Sequence, residues 1–293
     1  MLMSAGPILN YSPLHFTKPK VPEGAETFTF LTYNAHNFVP PGVEATATLP
    51  PGNNPQLDYI LNSGADIVCL QEAAPLIMQT GKVLSAQQID SLHRIYPHIC
   101  VSTNDIAVLS KFPLEPIHLD ANKKNFAGGT VGCYRISLPS ERLITLFDVH
   151  LHSMKLKDND IRTYKNLTEL KGENIDSLKY HILSKVSAAA VGRAKQVQQL
   201  LRYIRLYGGP DAIISGDFND VPGCYAIRTL EDVGFRSVYP ECGLGPMVTF
   251  NNDRLYFCID HTLYRGGLRP VSMKKGRTKA SDHYPLTTTF YIK

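Results

Sequence analysis

Ile213-Ile214-Ser215-Gly216-Asp217-Phe218-Asn219-Asp220 is a short apolar run that ends in a glycine and then offers three polar side chains in four residues. Read as a buried strand, Asp211 to Ser215 carries its backbone to the rim of a sheet, and Gly216 lets that backbone turn where a side chain would obstruct. Asp217 and Asn219 then emerge beside one pocket. A carboxylate and a carboxamide two residues apart suit phosphate chemistry, because one accepts a proton or holds a cation while the other donates to a phosphoryl oxygen. The same spacing also fits a strand followed by an Asx turn, so the rest of the chain decides between them.

On the N-terminal side of this stretch, Lys155 to Gly208 reads as mostly helical. Leu178, Ile182, Val186, Ala189, Arg193, Val197, Leu200 and Ile204 fall near one face at spacings of three and four, a core-packing stripe. Before it come two β runs, Thr130 to Leu138 and Leu143 to His152, joined by a Pro-Ser turn. Earlier still are strands at His98 to Ser102 and Asp105 to Ser110, stopped by Lys111-Phe112-Pro113, and a helix at Asp90 to Tyr96. Ala65 to Leu70 is a continuous apolar strand that delivers Gln71 and Glu72, preceded by a short helix from Gln56 to Ser63 that Gly64 closes. Thr27 to Tyr33 alternates as a half-buried strand and ends at Asn34. The loop from Val39 to Asn54 is too rich in proline and glycine for a regular element and is expected to line a substrate groove.

On the C-terminal side follow a helix from Cys224 to Leu230 and strands at Met247 to Phe250, Tyr256 to Tyr264, Leu268 to Met273 and Tyr284 to Ile292. Such interleaving predicts an α+β protein, a four-layer α/β sandwich in which two packed, mostly antiparallel sheets are flanked by helices. Residues 1–26 carry four prolines and read as an extended leader, and residues 27–293 as a single domain. Hydrophobic content of 43% with 19% charged residues is that of an ordinary globular chain, and a formal net charge of +4 leans toward anionic ligands without a basic tail. The six cysteines are scattered singly, which argues against a disulfide scaffold or a zinc ribbon. No run reaches the roughly 18 to 20 apolar residues of a membrane span, so the chain as given is expected to be soluble.

Polar side chains end successive apolar runs in the segments TYNAHN, DIVCLQE, FDVHLHS, ISGDFND, CIDHTLY and SDHYPL, which places Asn34, Glu72, His150, Asp217, Asn219, Asp260, Asp282 and His283 at one rim. Six such segments in this order resemble the endonuclease/exonuclease/phosphatase superfamily, with the fold of pancreatic deoxyribonuclease, over roughly Thr27 to Lys293. The resemblance implies a divalent-metal-dependent phosphoesterase that cleaves a phosphodiester by in-line attack of water, with a phosphomonoesterase of inositol phosphates, phosphoinositides or sugar phosphates as the alternative. It also implies roles. Glu72 looks like the principal metal ligand, with Asn34 beside it and Asp282 as an auxiliary ligand. Asp217 resembles the carboxylate that positions or deprotonates water, Asn219 the amide on a phosphoryl oxygen, and His150 the histidine that donates to the scissile phosphate. His283 looks like the catalytic imidazole and Asp260 the carboxylate that orients it. The implied cofactor is Mg²⁺, with Mn²⁺ as a substitute, because a hard cation that keeps most of its waters needs only one or two carboxylates.

The partner is then a phosphate-ester substrate: nucleic acid, a phospholipid headgroup or an inositol phosphate. Nothing in the sequence implies a protein partner, and a monomer is expected. Lys274, Lys275, Arg277 and Lys279 directly precede Ser281-Asp282-His283, so they are expected near the site's mouth, able to grip a second phosphate. His150-Leu151-His152 raises a zinc hydrolase as a rival, although the further ligands of such a site are missing. A module that binds a phosphate ligand without turnover is a third class. The absence of tryptophan lowers the case for a base-damage repair enzyme. The layout, with its helical insert after HLHS, looks most like bacterial members of the superfamily, some with N-terminal membrane helices, so a membrane-tethered extracytoplasmic origin is the expectation if such helices lie upstream.

Overall fold

Alternation decides which way each strand faces. In β1 (Thr27–Asn34), Phe28 and Phe30 enter one apolar layer while Leu31 and Tyr33 enter another. The computed structural model describes residues 11–17, 19–43, 52–78, 83–102, 105–119, 129–154, 175–252 and 255–293, the side chains of 77, 78, 102 and 175–182 apart. One six-stranded sheet runs in the order β13 (Leu268–Lys275), β14 (Leu286–Ile292), β1, β2 (Ile67–Gln71), β4 (Ile106–Ser110) and β3 (His98–Ser102). The other runs β5 (Leu114–Ile117), β6 (Thr130–Ser137), β7 (Leu143–His150), β8 (Ala212–Asp217), β12 (Asp260–Arg265) and β9 (Arg236–Ser237). Each sheet is antiparallel except for one central parallel pair, β1 with β2 and β7 with β8.

Three apolar layers hold this together. Phe28, Phe30, Ile67, Cys69, Ile144, Leu146, Ile213 and Tyr264 meet between the sheets. Outside the first sheet, Leu31, Tyr33, Val68 and Leu70 pack with Leu57, Ile60 and Leu92, from helices α1 (Pro55–Asn62) and α3 (Ala86–Ile95); the short α2 (Ala74–Met78) lies between these two in the chain. Outside the second, Phe147, Val149, Ala212, Ile214 and Leu263 meet Val197, Leu200 and Ile204 of α4 (Ile175–Tyr207) and Ile227 and Leu230 of α5 (Tyr225–Glu231). The result is the four-layer sandwich that the interleaving predicts, helices outside and sheets within. No helix among the described residues is long and apolar enough to cross a membrane.

Several boundaries differ from the sequence reading. Helix α3 starts at Ala86 because Ser85 and Gln88 form a capping box, upstream of the expected Asp90. Strand β5 follows the supposed stop at Lys111–Pro113; it accommodates Pro116 because it lies at a sheet edge, where a missing N–H is tolerated. The single strand expected over Tyr256 to Tyr264 is broken. Thr249 Oγ1 accepts from the backbone N–H of Ile259 at 2.9 Å and of Asp260 at 3.0 Å, which takes both from any ladder, so a separate hairpin of β10 (Phe250–Asn252) and β11 (Leu255–Phe257) forms before β12. In the α4 stripe Ala189, Arg193, Val197, Leu200 and Ile204 are buried, but Val186 is 39% exposed. Residues 155–174, 44–51 and the side chains of Leu178 and Ile182 lie outside the described residues. Of the leader, the described part lies against the domain: Leu14 bridges Leu244, and Gly245 donates its N–H to the Pro13 carbonyl at 2.7 Å.

Candidate active site

The inner faces of the central strands turn from apolar to polar toward one common end. On β1 the face of Phe28 and Phe30 continues to Thr32 and Asn34; on β8 that of Ile213 continues to Ser215 and Asp217. By the same parity β7 carries Ile144, Leu146, Asp148 and His150, and β2 carries Ile67, Cys69 and Gln71. Parallel pairing aligns these ends: Asn34 stands opposite Gln71, and His150 opposite Asp217. Antiparallel β12 begins at the same level, with Asp260 opposite Asp217. Gly216 is required here, since its φ is +138° and an added Cβ would stand 2.0 Å from the Val149 carbonyl oxygen.

Beyond the strand ends the backbone turns sharply. Glu72 adopts φ +50°, held by the N–H of Ala35 on the Gln71 carbonyl and of Asn37 on the Glu72 carbonyl, both at 2.9 Å. Asn219 also has φ +50°, its backbone N–H on Asp217 Oδ1 at 2.8 Å and its Nδ2 on the Leu151 carbonyl at 3.1 Å. Arg193 reaches from α4 to Asp220 Oδ2 at 2.8 Å and to the His152 carbonyl at 3.1 Å, tying this loop to the outer helix. Ser281 donates to the Asn34 carbonyl at 2.9 Å and accepts from the His283 N–H at 3.0 Å.

These turns enclose a cleft of about 260 Å³ lined by Glu72, His150, Asp217, Asn219, Asp282 and His283, with Met154, Phe250, Leu255, Phe257 and Ile259 as an apolar wall. Asn34 bridges two of its acids, donating through Nδ2 to Asp217 Oδ2 at 3.1 Å and to Glu72 Oε1 at 3.2 Å. His283 Nδ1 lies 2.9 Å from Asp260 Oδ2, and its Nε2 lies 3.6 Å from Asp217 Oδ2. His150 is built alike, with Nδ1 3.0 Å from Asp105 Oδ2 and Nε2 3.7 Å from Asp217 Oδ2. Two imidazoles thus face one carboxylate, each fixed from behind by an acid.

Electrostatics follow from that geometry. Burial opposes a charge on His150, but its hydrogen bond to Asp105 and the fields of Asp217 and Glu72 win, and its pKa is pushed up to about 9. For His283 burial is likewise overcome, chiefly by the charges of Asp260 and Asp217, and its pKa rises to about 10. Burial also raises Asp217, against the pull of His283 and His150. Asp217, Asp260 and His283 lie close enough to hold an ion, with ligand atoms within 4.8 Å of one another. The His283 ring already stands between those two acids, hydrogen-bonded to Asp260 at 2.9 Å and 3.6 Å from Asp217, beyond hydrogen-bond length. Glu72 and Asp282 are two further carboxylates that line the cleft. Both are partly exposed on the cleft, both are oxygen donors, and among the described residues neither forms an ion pair.

Of the residues singled out by sequence, Asn34, Glu72, His150, Asp217, Asn219, Asp260, Asp282 and His283 come together. The basic run does not join them. Lys274, Lys275, Arg277 and Lys279 are exposed, and none lines the cleft; Lys275 Nζ instead sits 4.4 Å from the Tyr284 ring centre. The His150–His152 pair is also split: β7 ends at His150, and the His152 ring packs against Gly192 of α4, where an added Cβ would meet it at 3.1 Å. Asp105 is the member that sequence reasoning missed. It opens an apolar strand and there resembles any turn acid; the only local signal was its place among the other polar residues at strand ends.

Residues 31–283 match the model of the Endonuclease/Exonuclease/phosphatase family, and the chain belongs to that family of phosphoester hydrolases. No curated protein sequence matches it. Among solved structures, an endonuclease/exonuclease/phosphatase from Beutenbergia cavernae superposes with a TM-score of 0.57 at 15% identity, over 91% of this chain and 72% of that one. ANGEL2, a 2′,3′-cyclic phosphatase, gives 0.56 at 15% identity, over 92% and 96% of the two chains. The human Nocturnin catalytic domain with bound sulfate gives 0.55 at 15%, over 91% and 95%. At such identity these likenesses speak to the fold.

Proposed function

We propose that this protein hydrolyses a phosphodiester by in-line attack of water, with Glu72, Asn34 and Asp282 holding a divalent cation. The observation that carries the reading is the pair of raised imidazoles facing Asp217, His283 buried and His150 half-buried, in the cleft that also exposes Glu72 and Asp282. Mg²⁺ fits the oxygen donors, with Mn²⁺ as a substitute, and when bound it neutralises phosphate charge. Asp217 accepts a hydrogen bond or proton from the attacking water. His150 and His283, protonated at neutral pH, donate through Nε2 to non-bridging oxygens, where negative charge grows in the transition state. Asn219 keeps one Nδ2 hydrogen for the same purpose, its other being spent on Leu151. Asp105 and Asp260 accept from Nδ1 of the two imidazolium rings and hold them in one orientation.

The wall of Phe250, Phe257, Leu255, Ile259 and Met154 favours a diester whose second ester group has an apolar or aromatic face. Nucleic acid and phospholipid substrates both meet that description. A phosphomonoesterase is the second reading, favoured by the two imidazolium groups, which suit a dianionic phosphate; inositol polyphosphates fit less well, because the exposed lysines stand outside the cleft. The deciding experiment is hydrolysis of a generic phosphodiester and a generic phosphomonoester by one preparation, with Mg²⁺, with EDTA and with Asp217→Asn. Metal-dependent diester cleavage that the variant lacks supports the proposal. Monoester release alone moves the assignment to the second reading, and no turnover of either overturns both.

A further inference from the structure

Behind the cleft, where β2 and β7 face each other across the inner core, Gln71 and Asp148 are both completely buried. Gln71 Nε2 donates to Asp148 Oδ1 at 2.7 Å and lies 3.4 Å from Thr32 Oγ1. Among the described residues, two oxygens of the pair, Gln71 Oε1 and Asp148 Oδ2, are buried without a hydrogen-bond partner. Among the described residues no lysine or arginine pairs with Asp148. The titratable groups that face it are Cys69, Asp105 and His150, and the last two are bonded to each other.

An ionised carboxylate is poorly served there, with neutral donors only, the Gln71 amide and the Val149 backbone N–H, and no lysine or arginine, while the acceptors Oδ2 and Gln71 Oε1 stay unsatisfied. A single proton on Asp148 Oδ2 removes both faults. We propose that Asp148 is a neutral carboxylic acid that exchanges two hydrogen bonds with the Gln71 carboxamide, Nε2–H to Oδ1 and Oδ2–H to Oε1, and so locks β2 to β7 behind the site. Burial, which holds the Asp148 carboxyl well above the usual carboxylate range, acts in the same direction.

The consequence for chemistry is positional. Gln71 immediately precedes Glu72, and Asp148 sits two residues before His150 on the same face of β7. The lock therefore sets the separation between what the first sheet and the second sheet bring to the cleft, and this part rests on the proposed roles of Glu72 and His150. Asp148 touches no substrate and is a positioning residue.

Two variants of the full chain with Mg²⁺ test it. Asp148→Asn keeps the donor and acceptor pattern of the neutral acid, so its Tm and pH profile should match the parent, with kcat within about threefold. Asp148→Leu keeps the volume and loses the pair, so kcat should fall about 10- to 100-fold with a smaller change in KM. A difference infrared spectrum at neutral pH, parent minus Asp148→Asn, should show the carbonyl stretch of a protonated carboxylic acid. A carboxylate band there instead, or an Asn variant as damaged as the Leu variant, overturns the neutral acid; a fully active Leu variant overturns the positioning role. The infrared band and the Tm comparison need no substrate, so they decide the protonation state even if the parent hydrolyses nothing.

Discussion

Asn34 and Asp217 lie 183 positions apart in the chain and are joined by a 3.1 Å hydrogen bond from Nδ2 to Oδ2. The same amide nitrogen reaches Glu72, so one carboxamide fixes the spacing between the acid proposed for water and the acid proposed for metal. Asn34→Ala should lower kcat about 10- to 100-fold and raise the Mg²⁺ concentration needed for half-maximal rate. Steady-state kinetics against a metal titration check this, and an unchanged metal requirement would show that the bridge is ornamental.

Asp217→Asn removes the proposed acceptor of the water proton while preserving shape. Turnover should fall by about 10²- to 10⁴-fold, while Tm stays level or rises because a buried, raised carboxylate is replaced by a neutral amide. Near-parental turnover would remove Asp217 from the mechanism.

Glu72→Gln keeps the Asn34 contact in part and discards the charge. The Mg²⁺ affinity measured by calorimetry should drop about tenfold or more. A titration that overlays the parent's would mean that Glu72 is no ligand.

His150 gives a pH-dependent stability. Its folded pKa of about 9 lies above the ordinary value of 6.5, so its stabilisation is complete below that ordinary value and is lost as pH rises through the folded one. Denaturant unfolding of parent and His150→Gln should therefore differ most near about pH 6 and converge near about pH 10. A gap that widens with pH would contradict the Asp105 pairing.

Gly216→Ala places a Cβ 2.0 Å from the Val149 carbonyl oxygen at a φ of +138°, near the end of the parallel pair β7–β8. The cost should be about 3 kcal/mol or more, read as a fall in Tm or as insoluble protein. An Ala variant as stable as the parent would show that the strand end relaxes.

The layers were legible because period-2 alternation is a local property. Phe28 and Phe30 on one side of β1, and Leu31 and Tyr33 on the other, already say that both faces are covered, and the apolar runs ending in Glu72, His150 and Asp217 say where the polar rim must be. What stayed hidden depends on distance along the chain. Asp105 becomes meaningful only beside His150, 45 positions later, and Gln71 only beside Asp148, 77 positions later. The break before Asp260 required knowing that Thr249 reaches across to two N–H groups. For the basic run, closeness in sequence to Asp282 suggested closeness in space. Yet Lys274 and Lys275 end β13 and Arg277 and Lys279 lie just beyond it, all four exposed and none lining the cleft.

The polar groups of the site come from both layers: Asn34, Glu72, Asp105, Asp282 and His283 from the first sheet and its loops, and His150, Asp217, Asn219 and Asp260 from the second. The cleft is thus a seam, and it exists only while both sheets keep register across their shared core. Turnover then serves as a gauge of interlayer packing. A swollen state that keeps both sheets but loosens the contact between them retains its far-ultraviolet circular dichroism and loses catalysis, so inactivation in mild denaturant runs ahead of the loss of secondary structure.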